Sequence, residues 1–357
     1  MSLVATAALL VAAGLDAAVG EPPARVHPVA LFGRVVAPVD RAWGHPLTVG
    51  VVVAVVAPLI AAGLAGGVVL ATAWLASAGV AGSDGDAVVV TAAAALAAGL
   101  VVFVTTSLRL LLAEARAVIA ATTTDLDAAR TRLRSLAGRD ASELSAGAVR
   151  SAAVESVAEN LADGLVAPLT GFVLGVVGWT VVGPAVAGTP SAGLSSWPIT
   201  PQGVTTVSPP VIGLAVGAAA ATWVKGVNTL DSMLGYRSKR VGTPSARLDD
   251  AVMWLPARLA TVLVAVAAGA PGAVRAARRH ADTPDSPNSG WPMATLAAVL
   301  GVRLRKPETY ELPYGDDLPS PAAARHGVRV AAVAGVASYA VAAVTLLATV
   351  AATEVGG

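Results

Sequence analysis

Long stretches with almost no charged residues are the feature that most constrains this chain. A bilayer core is crossed by about 20 apolar helical residues, and such runs occur at 3–20, 49–76, 87–108, 164–187, 209–224 and 331–352. The run at 209–224 is short, and Asp16 is tolerated near the end of the first. No Lys or Arg precedes that first run, which favours a retained span over a cleaved signal peptide. Since helices satisfy their own backbone groups in lipid, the pattern predicts an all-α, polytopic integral membrane bundle in a single domain, 1–357.

The composition supports that class and argues against others. Hydrophobic residues make up 55% of the 357 positions and charged residues 13%, which is too apolar for an ordinary soluble domain. A net charge of +1, without basic runs interleaved with aromatics, argues against nucleic acid as a partner. The chain has no cysteine, so thiol catalysis and cysteine metal sites are excluded and any metal must bind oxygen or histidine.

The distribution of basic residues predicts the topology. All 24 Lys and Arg residues fall into four segments: 25–41, 109–150, 225–258 and 275–329. By the positive-inside rule, the cytoplasmic segments are 21–48, 109–163, 225–250 and 275–329. The Pro-, Gly-, Ser- and Thr-rich connection at 188–208, and the short connection with Asp84 and Asp86, then lie outside.

Two segments need a separate interpretation. Residues 251–274 are apolar but contain Arg258 and two prolines, and the part between two basic segments, 259–274, is too short to cross the membrane twice. We predict a re-entrant or buried helix there. The polar segment 124–163 has the pattern of two amphipathic helices broken at Gly138, which predicts a cytoplasmic helical cap.

Polar residues that lipid would not tolerate without a reason concentrate at 225–259. Lys225, Asn228 and Asp231 are spaced by three, so a helix places them on one face. A snorkelling lysine with two helix-end polar residues is the alternative, but it does not explain Asn228 or Asp231. The same stretch contains further charges that suit a metal-bound phosphate: Arg237, Lys239, Arg240, Arg247, Arg258, Asp249 and Asp250. The two aspartates could equally pair with neighbouring arginines in a surface network.

A second acidic group precedes the run at 164–187. Glu155, Glu159 and Asp163 recur every four residues, with Asn160 beside them, and oxygen ligands of this kind bind Mg²⁺. A solvated helix face explains the spacing equally well. The position at the membrane edge favours a functional role.

Two loops offer weaker signals. The segment SPNSGWP is either a rigid turn in which Ser286, Asn288 and Ser289 hold a polar ligand or a plain Pro/Gly turn. His27 could contact a substrate or a metal, although a lone histidine before proline is more often a loop residue. The sequence contains no GxxxxGK[ST] phosphate loop, HExxH, GxSxG or dinucleotide fingerprint.

Six ordered stretches resemble the adenosylcobinamide-phosphate synthase family of cobalamin biosynthesis, the CobD/CbiB membrane proteins. They are D…GEPP…HPV…GR from Asp16 to Arg34, GRD at 138–140, ESVAENLADGLVAPL from Glu155, KGVNTLDSMLGYRSKR from Lys225, ARLDDAVMWLPARL from Ala246 and SPNSGWPMATLAAVLGVRL from Ser286. The resemblance spans most of the chain. Two departures are Glu21, where Asp is more usual, and the length of 188–208.

The resemblance implies an ATP- and Mg²⁺-dependent amide ligase in the cell membrane, with its active site facing the cytoplasm. It would join the carboxylate of adenosylcobyric acid to the amino group of (R)-1-aminopropan-2-ol O-phosphate, or of free aminopropanol. The catalytic candidates are Lys225, Asp231, Glu155 and Glu159. Mg²⁺ ligands or a base would come from Glu155, Glu159, Asp163, Asp231, Asp249 and Asp250. Phosphates would bind Lys225, Arg237, Lys239, Arg240, Arg247 and Arg258, and substrates would be oriented by Asn228, Asn160, His27, Ser286, Asn288 and Ser289.

Two functions of other classes are the alternatives. A corrinoid transporter would need polar residues in mid-span and usually inverted repeats, and the sequence shows neither. A non-catalytic scaffold for other corrinoid-assembly enzymes would not need Lys225 or Asp231. The motifs therefore favour the enzyme.

Overall fold

The computed structural model describes residues 1–80, 86–186, 208–235 and 239–355, and the regular secondary structure of this part of the chain is helical except for one hairpin. The helices are α1 (Ser2–Ala18), α2 (Pro28–Val36), α3 (Pro46–Val80), α4 (Asp86–Thr105), α5 (Arg109–Ala121), α6 (Leu126–Leu136), α7 (Ala146–Leu161), α8 (Ala167–Val186), α9 (Pro209–Leu234), α10 (Thr243–Val252), α11 (Trp254–Ala267), α12 (Gly272–Ala277), α13 (Gly290–Leu300) and α14 (Pro321–Val355). The hairpin pairs β1 (Arg303–Lys306) with β2 (Tyr310–Pro313) in antiparallel fashion. The connections at 81–85 and 187–207, with the external loops predicted there, lie outside the described residues, as does Arg237.

The predicted membrane helices are present. Among the described residues, five helices are long and apolar enough to cross a bilayer: Pro46–Gly79, Asp86–Ala121, Ala146–Gly183, Pro209–Leu234 and Pro321–Thr349. Each contains or overlaps one of the uncharged runs, which confirms the multi-pass α-helical class. Helix α1 covers the run at 3–20 but, with 17 residues, is shorter than these five.

The chain divides into two compact units. The first contains 1–106, 168–246 and 339–357, and the second contains 107–167 and 247–338. In the first unit, α3 packs on α4 and α9, and α1 packs on α4. In the second unit, α5, α6, α13 and β1 pack on α7.

Small residues determine how closely the helices of the first unit approach. A Cβ added at Gly99 of α4 would lie 2.8 Å from the Ala8 carbonyl oxygen of α1, and one at Gly175 of α8 would lie 2.8 Å from the Val216 carbonyl oxygen of α9. Such close backbone contact is how membrane helices associate, because lipid supplies no hydrophobic force between them. On the outer side of α3, Leu64 is 68% exposed, as expected of a lipid-facing residue.

Helix α7 is the centre of the second unit. The break predicted at Gly138 does separate α6 from α7 within 124–163. Helix α6 is amphipathic, with Ala129 and Leu133 as its buried face. Helix α7, in contrast, is buried on nearly all sides, including at Glu155, because other elements surround it. The amphipathic pattern predicted for the segment therefore holds for α6 and not for α7.

Residues 251–274 contain the end of α10, all of α11 and the start of α12. Helices α10 and α11 meet at an angle of 48°, and the 14 residues of α11 span about 21 Å, less than the roughly 30 Å of a bilayer core. One side of α11 packs on α13 and on a π-helical turn at Ala162–Val166. Ala260 and Val264 are fully buried, whereas Val266 is 66% exposed. This geometry is compatible with a re-entrant or buried helix, which stays a prediction.

Candidate active site

Helix α9 carries the first predicted group near its C-terminal end. It continues past the apolar run to Leu234, so the helical spacing of Lys225, Asn228 and Asp231 is confirmed. Asn228 is buried, whereas Lys225 and Asp231 are half-buried. The helix ends at Gly235, where a Cβ would overlap the Asp231 carboxylate. The Cβ would also lie 2.7 Å from the Asp231 carbonyl oxygen, so a larger residue would require the end of the helix to shift.

The loop before α2 contributes His27 to the same unit. His27 caps α2, because its Nδ1 accepts a hydrogen bond from the Val29 amide at 3.2 Å. Its Nε2 lies 3.8 Å from a Glu21 carboxylate oxygen, which is too long for a hydrogen bond. Burial lowers the pKa of His27; the charge of Glu21 raises it in part, and the charge of Lys225 lowers it again. The ring is therefore neutral at pH 7, and His27 lies close enough to Lys225 to sense its charge.

The other phosphate-binding candidates of the first unit have solvent-accessible positions or lie outside the described residues. Lys239 donates a hydrogen bond to Asp40 at 2.6 Å, and the two side chains are 36% and 40% exposed. Exposed ion pairs of this kind contribute about 0–1 kcal/mol to the free energy of unfolding. Arg240 is exposed, and Arg237 falls in the part of the chain that is not described. Their assignment to phosphate binding stays a prediction.

Glu155 is buried in the second unit, where three donors surround it. Its side chain is 1% exposed, and it accepts from Arg139 Nη2 at 2.7 Å, Ser151 Oγ at 2.7 Å and the Tyr310 hydroxyl at 2.8 Å. Burial, and then the Glu155 charge, raise the pKa of Tyr310, so the phenol stays protonated and remains a donor. Because both carboxylate oxygens are occupied, the arrangement favours a role for Glu155 in anchoring the hairpin and Arg139 on α7.

The other acidic candidates of the stripe lie near a change in helical geometry. Glu159 and Asp163 are half-buried, and the Glu159 charge also raises the pKa of Tyr310, which places it near the same network. Asn160 donates to the backbone of its own helix at 2.9 Å. Helix α7 passes into the π-helical turn at Ala162–Val166, which contains Asp163. Turns of this type are frequent at functional sites.

Arg258 joins the two C-terminal motifs within the second unit. Its guanidinium carbon lies 5.1 Å from the ring centres of both Trp254 and Trp291, which are cation–π distances. Its Nη1 donates to the side-chain oxygen of Asn288. Asn288 is buried and donates in turn to the Asp250 backbone carbonyl at 2.7 Å. The structure thus brings Arg258, Asn288 and Asp250 together.

The remaining candidates of the second unit surround this group or lie on its surface. Ser286 hydrogen-bonds the Asp250 side chain and accepts from the Asn288 amide at 3.3 Å. Ser289 is half-buried at the start of α13, Asp249 is buried and Arg247 is exposed.

Comparison with known proteins identifies the family. A family model described as CobD/Cbib protein matches residues 9–332. The chain belongs to the CobD/CbiB family. The resemblance inferred from six sequence stretches is therefore confirmed, and no solved structure matches this chain.

Curated relatives agree with this membership. The "Probable cobalamin biosynthesis protein CobD" of Methanothrix thermoacetophila is 32% identical over 311 residues, 85% of each chain. "Cobalamin biosynthesis protein CobD" of Rhodobacter capsulatus is 32% identical over 317 residues, which cover 85% of this chain and 83% of the relative. "Cobalamin biosynthesis protein CbiB" of Salmonella typhimurium is 33% identical over 205 residues, covering 55% of this chain and 50% of the relative.

The CobD/CbiB motifs fall on both units. In the first unit, the GEPP…HP loop and the α9 motif bring His27 near Lys225, and in the second unit Arg258 joins Asn288. Within 1–80, 86–186, 208–235 and 239–355, no group of three or more His, Asp or Glu side chains is arranged to hold a metal ion. The proposed Mg²⁺ ligands Asp163, Asp249 and Asp250 therefore stay predictions.

Several residues that lie against the candidates within one unit or the other were not predicted from the CobD/CbiB motifs. These are Glu21, Arg139, Ser151, Trp254, Trp291 and Tyr310. Arg139 belongs to the GRD stretch, which was a usable signal without an assigned role. Tyr310 lies 155 positions from Glu155, in a hairpin with no motif of its own, so sequence patterns could not connect the two.

Proposed function

We propose that this CobD/CbiB protein is an ATP-dependent amide ligase of cobalamin biosynthesis. It joins adenosylcobyric acid to (R)-1-aminopropan-2-ol O-phosphate, or to the free amino alcohol, giving adenosylcobinamide phosphate or adenosylcobinamide. Family membership over residues 9–332 supports the pathway. The observation that carries the reaction type is the polar face of α9, where Lys225, Asn228 and Asp231 lie in one unit with the neutral His27.

Amide formation needs activation because joining a carboxylate to an amine in water is uphill. In the proposed sequence, a carboxylate oxygen of the corrinoid attacks the γ-phosphorus of ATP, and ADP leaves. The amine nitrogen then attacks the acyl carbon, phosphate leaves with the bonding electrons, and a base takes the extra proton from nitrogen. Positioning and charge stabilisation carry most of such catalysis, and exclusion of water protects the acyl phosphate.

The side chains suit separate parts of this sequence. Lys225 supplies a cation for phosphate oxygens, and the buried Asn228 offers both a donor and an acceptor to orient a substrate. Asp231 is the proposed base for the amine. Arg258 donates to the neutral oxygens of Asn288 and of two backbone carbonyls, and the charge of Asp282 also acts on it. A guanidinium bonded to neutral oxygens suits binding of an anionic substrate.

Mg²⁺ enters the proposal with ATP and not as a resident metal. The described residues contain no cluster of three potential ligands, and the oxygens of Glu155 are taken by protein donors. In nucleotide sites Mg²⁺ is typically held by one or two carboxylates together with the phosphates. Glu159 with Asp163, or Asp249 with Asp250, would supply such carboxylates, and the bound ion would neutralise phosphate charge.

We place the reaction at the cytoplasmic face of the cell membrane. Among the described residues, five helices have the length and apolar character of membrane spans, and the four basic segments support a cytoplasmic position of the polar ends. This is also the side on which ATP is available.

The ligase is tested by incubating the detergent-purified protein with adenosylcobyric acid, ATP, Mg²⁺ and each form of aminopropanol. Mass spectrometry should detect the amide; release of ADP indicates an acyl phosphate and release of AMP an adenylate. Lys225→Ala and Asp231→Asn should each reduce the rate about 10²- to 10⁴-fold. Lys306→Ala and Asp127→Asn, on the hairpin and on α6, are matched controls that should remain active. Full activity in the first two variants would refute the assignment.

A further inference from the structure

The loop at 21–27 contains a hydrogen-bond acceptor and a donor that are both buried and unused. Among the described residues, neither Glu21 Oε1 nor His27 Nε2 has a hydrogen-bond partner. The second Glu21 oxygen lies 3.8 Å from His27 Nε2, so the pair does not satisfy itself. A buried polar atom without a partner costs about 1–3 kcal/mol. Two such atoms side by side call for an explanation, and a ligand supplies one.

His27 presents a donor at this point. Its Nδ1 accepts the Val29 amide hydrogen, so the proton of the neutral ring is on Nε2. His27 is only 9% exposed, and burial lowers its pKa, an effect that the Glu21 charge opposes and the Lys225 charge reinforces. The neutral imidazole therefore gives Glu21 no cationic partner, and at 3.8 Å its Nε2–H does not hydrogen-bond the carboxylate, so a ligand can supply the donor that Glu21 Oε1 lacks among the described residues.

The loop holds both atoms in a defined arrangement. Three of its eight residues, from 21 to 28, are prolines, and each restricts the backbone. Arg34 donates from Nη2 to the Ala24 carbonyl at 2.9 Å and from Nη1 to the Arg25 carbonyl at 3.3 Å. The cap on α2 fixes the imidazole. The acceptor and the donor are thus held in a defined arrangement, and because protein atoms enclose both, a ligand must displace part of the loop to reach them.

We propose that Glu21 and His27 bind the amino-alcohol substrate: Glu21 Oε1 accepts a hydrogen bond from its amino group, and His27 Nε2–H donates to the oxygen on the adjacent carbon. This assignment rests on the proposed ligase function. A 1,2-amino alcohol offers a nitrogen donor and an oxygen acceptor two carbons apart, which complements the two unused atoms. Phosphate chains and carboxylates offer only acceptors when ionised, and the charge of Glu21 repels them. The charge of Lys225 acts on His27, so a phosphate on that oxygen would lie near a cation.

Steady-state kinetics with each substrate varied in turn tests the acceptor. Glu21→Gln should raise the KM for the amine about tenfold to a hundredfold, the effect of one hydrogen bond to a charged group. The KM values for ATP and the corrinoid should not change. Glu21→Asp keeps a carboxylate and should recover part of the loss. Glu143→Gln and His326→Ala, which alter exposed residues elsewhere, are controls that should leave all three KM values unchanged.

A substrate analogue tests the donor without requiring a variant. The wild-type protein should bind 1-aminopropane more weakly than 1-aminopropan-2-ol, because the analogue leaves His27 Nε2 unpaired. His27→Ala should remove that preference, whereas Glu21→Gln should weaken both amines and preserve it. Equal binding of the two amines by the wild-type protein would overturn the role of His27.

Calorimetric titration of the amino alcohol and its phosphate into the purified protein separates this site from the ligase reaction. Saturable binding that weakens in Glu21→Gln supports the site even if no amide is formed, and then only the ligase proposal fails. If amide is formed but the KM for the amine is unchanged in folded Glu21→Gln, the site is wrong and the ligase stands. A rise confined to the KM for ATP would likewise overturn the site.

Discussion

Replacing Glu155 by glutamine should strongly destabilise the second unit. The Glu155 side chain is 1% exposed, that of Arg139 is 17% exposed, and the two are in contact at 2.7 Å. Glutamine keeps the shape of the side chain but leaves the guanidinium without a counter-charge. Removing one partner of a buried ion pair costs about 3–5 kcal/mol, and we expect a loss in that range.

Two further variants turn this expectation into a ranking. Tyr310→Phe removes one hydrogen bond to a charged group and should cost about 1.5–3 kcal/mol. Glu311→Gln is the matched control, because Glu311 is 41% exposed and lies 3.7 Å from Arg303, and such surface pairs contribute about 0–1 kcal/mol. The free energy of unfolding should therefore decrease most for Glu155→Gln and least for Glu311→Gln.

Denaturant unfolding in detergent, combined with hydrogen exchange, measures the effect and locates it. Exchange should accelerate in α7 and in the hairpin, since the Arg305 amide donates to Ser151 Oγ at 2.8 Å and Ser151 donates to Glu155. The reasoning would be refuted if Glu155→Gln changed the free energy of unfolding by no more than the surface control, about 1 kcal/mol.

Acidification should loosen the loop before α2, because burial lowers the pKa of His27 in the folded protein. The contribution of the neutral ring to the stability of the fold is complete above the ordinary pKa of 6.5. It is lost as the pH falls through the lower pKa of the folded state. The rate of amide hydrogen exchange at 24–36 should therefore rise as the pH falls below 6.5, and it should rise less in His27→Gln. Gly99→Leu should destabilise the packing of α1 on α4 by about 1–3 kcal/mol or more. Gly63→Leu is the control that should not, because a Cβ at Gly63 meets nothing within 4 Å. Thermal unfolding in detergent compares the two variants. Asp285→Cys in this cysteine-free chain should be labelled from the cytoplasmic side, and labelling from outside would refute the topology assigned to 251–274.

The sequence alone was enough for the architecture of the membrane part. A bilayer core accepts only long apolar helices, so uncharged runs such as 49–76 and 87–108 could form little else. The spacing of Lys225, Asn228 and Asp231 was equally informative, because helical periodicity is a local property that does not depend on neighbours. Ordered motifs identified the family for the same reason: each one is contiguous in the chain.

Long-range packing settled what local patterns could not. Glu155 was predicted on an acidic helix stripe, but α7 is surrounded by other elements. Besides Ser151 on α7 itself, the partners of that carboxylate come from the loop before α7 and from a hairpin 155 positions away. The burial of Asn228 and the neutral state of His27 likewise depend on which helices surround them. Burial, desolvation and hydrogen-bond partners depend on the residues that surround a side chain in the folded protein. The spacing of the acidic residues on α7 was therefore compatible with a solvated helix face, whereas in the structure Glu155 belongs to a buried hydrogen-bond network.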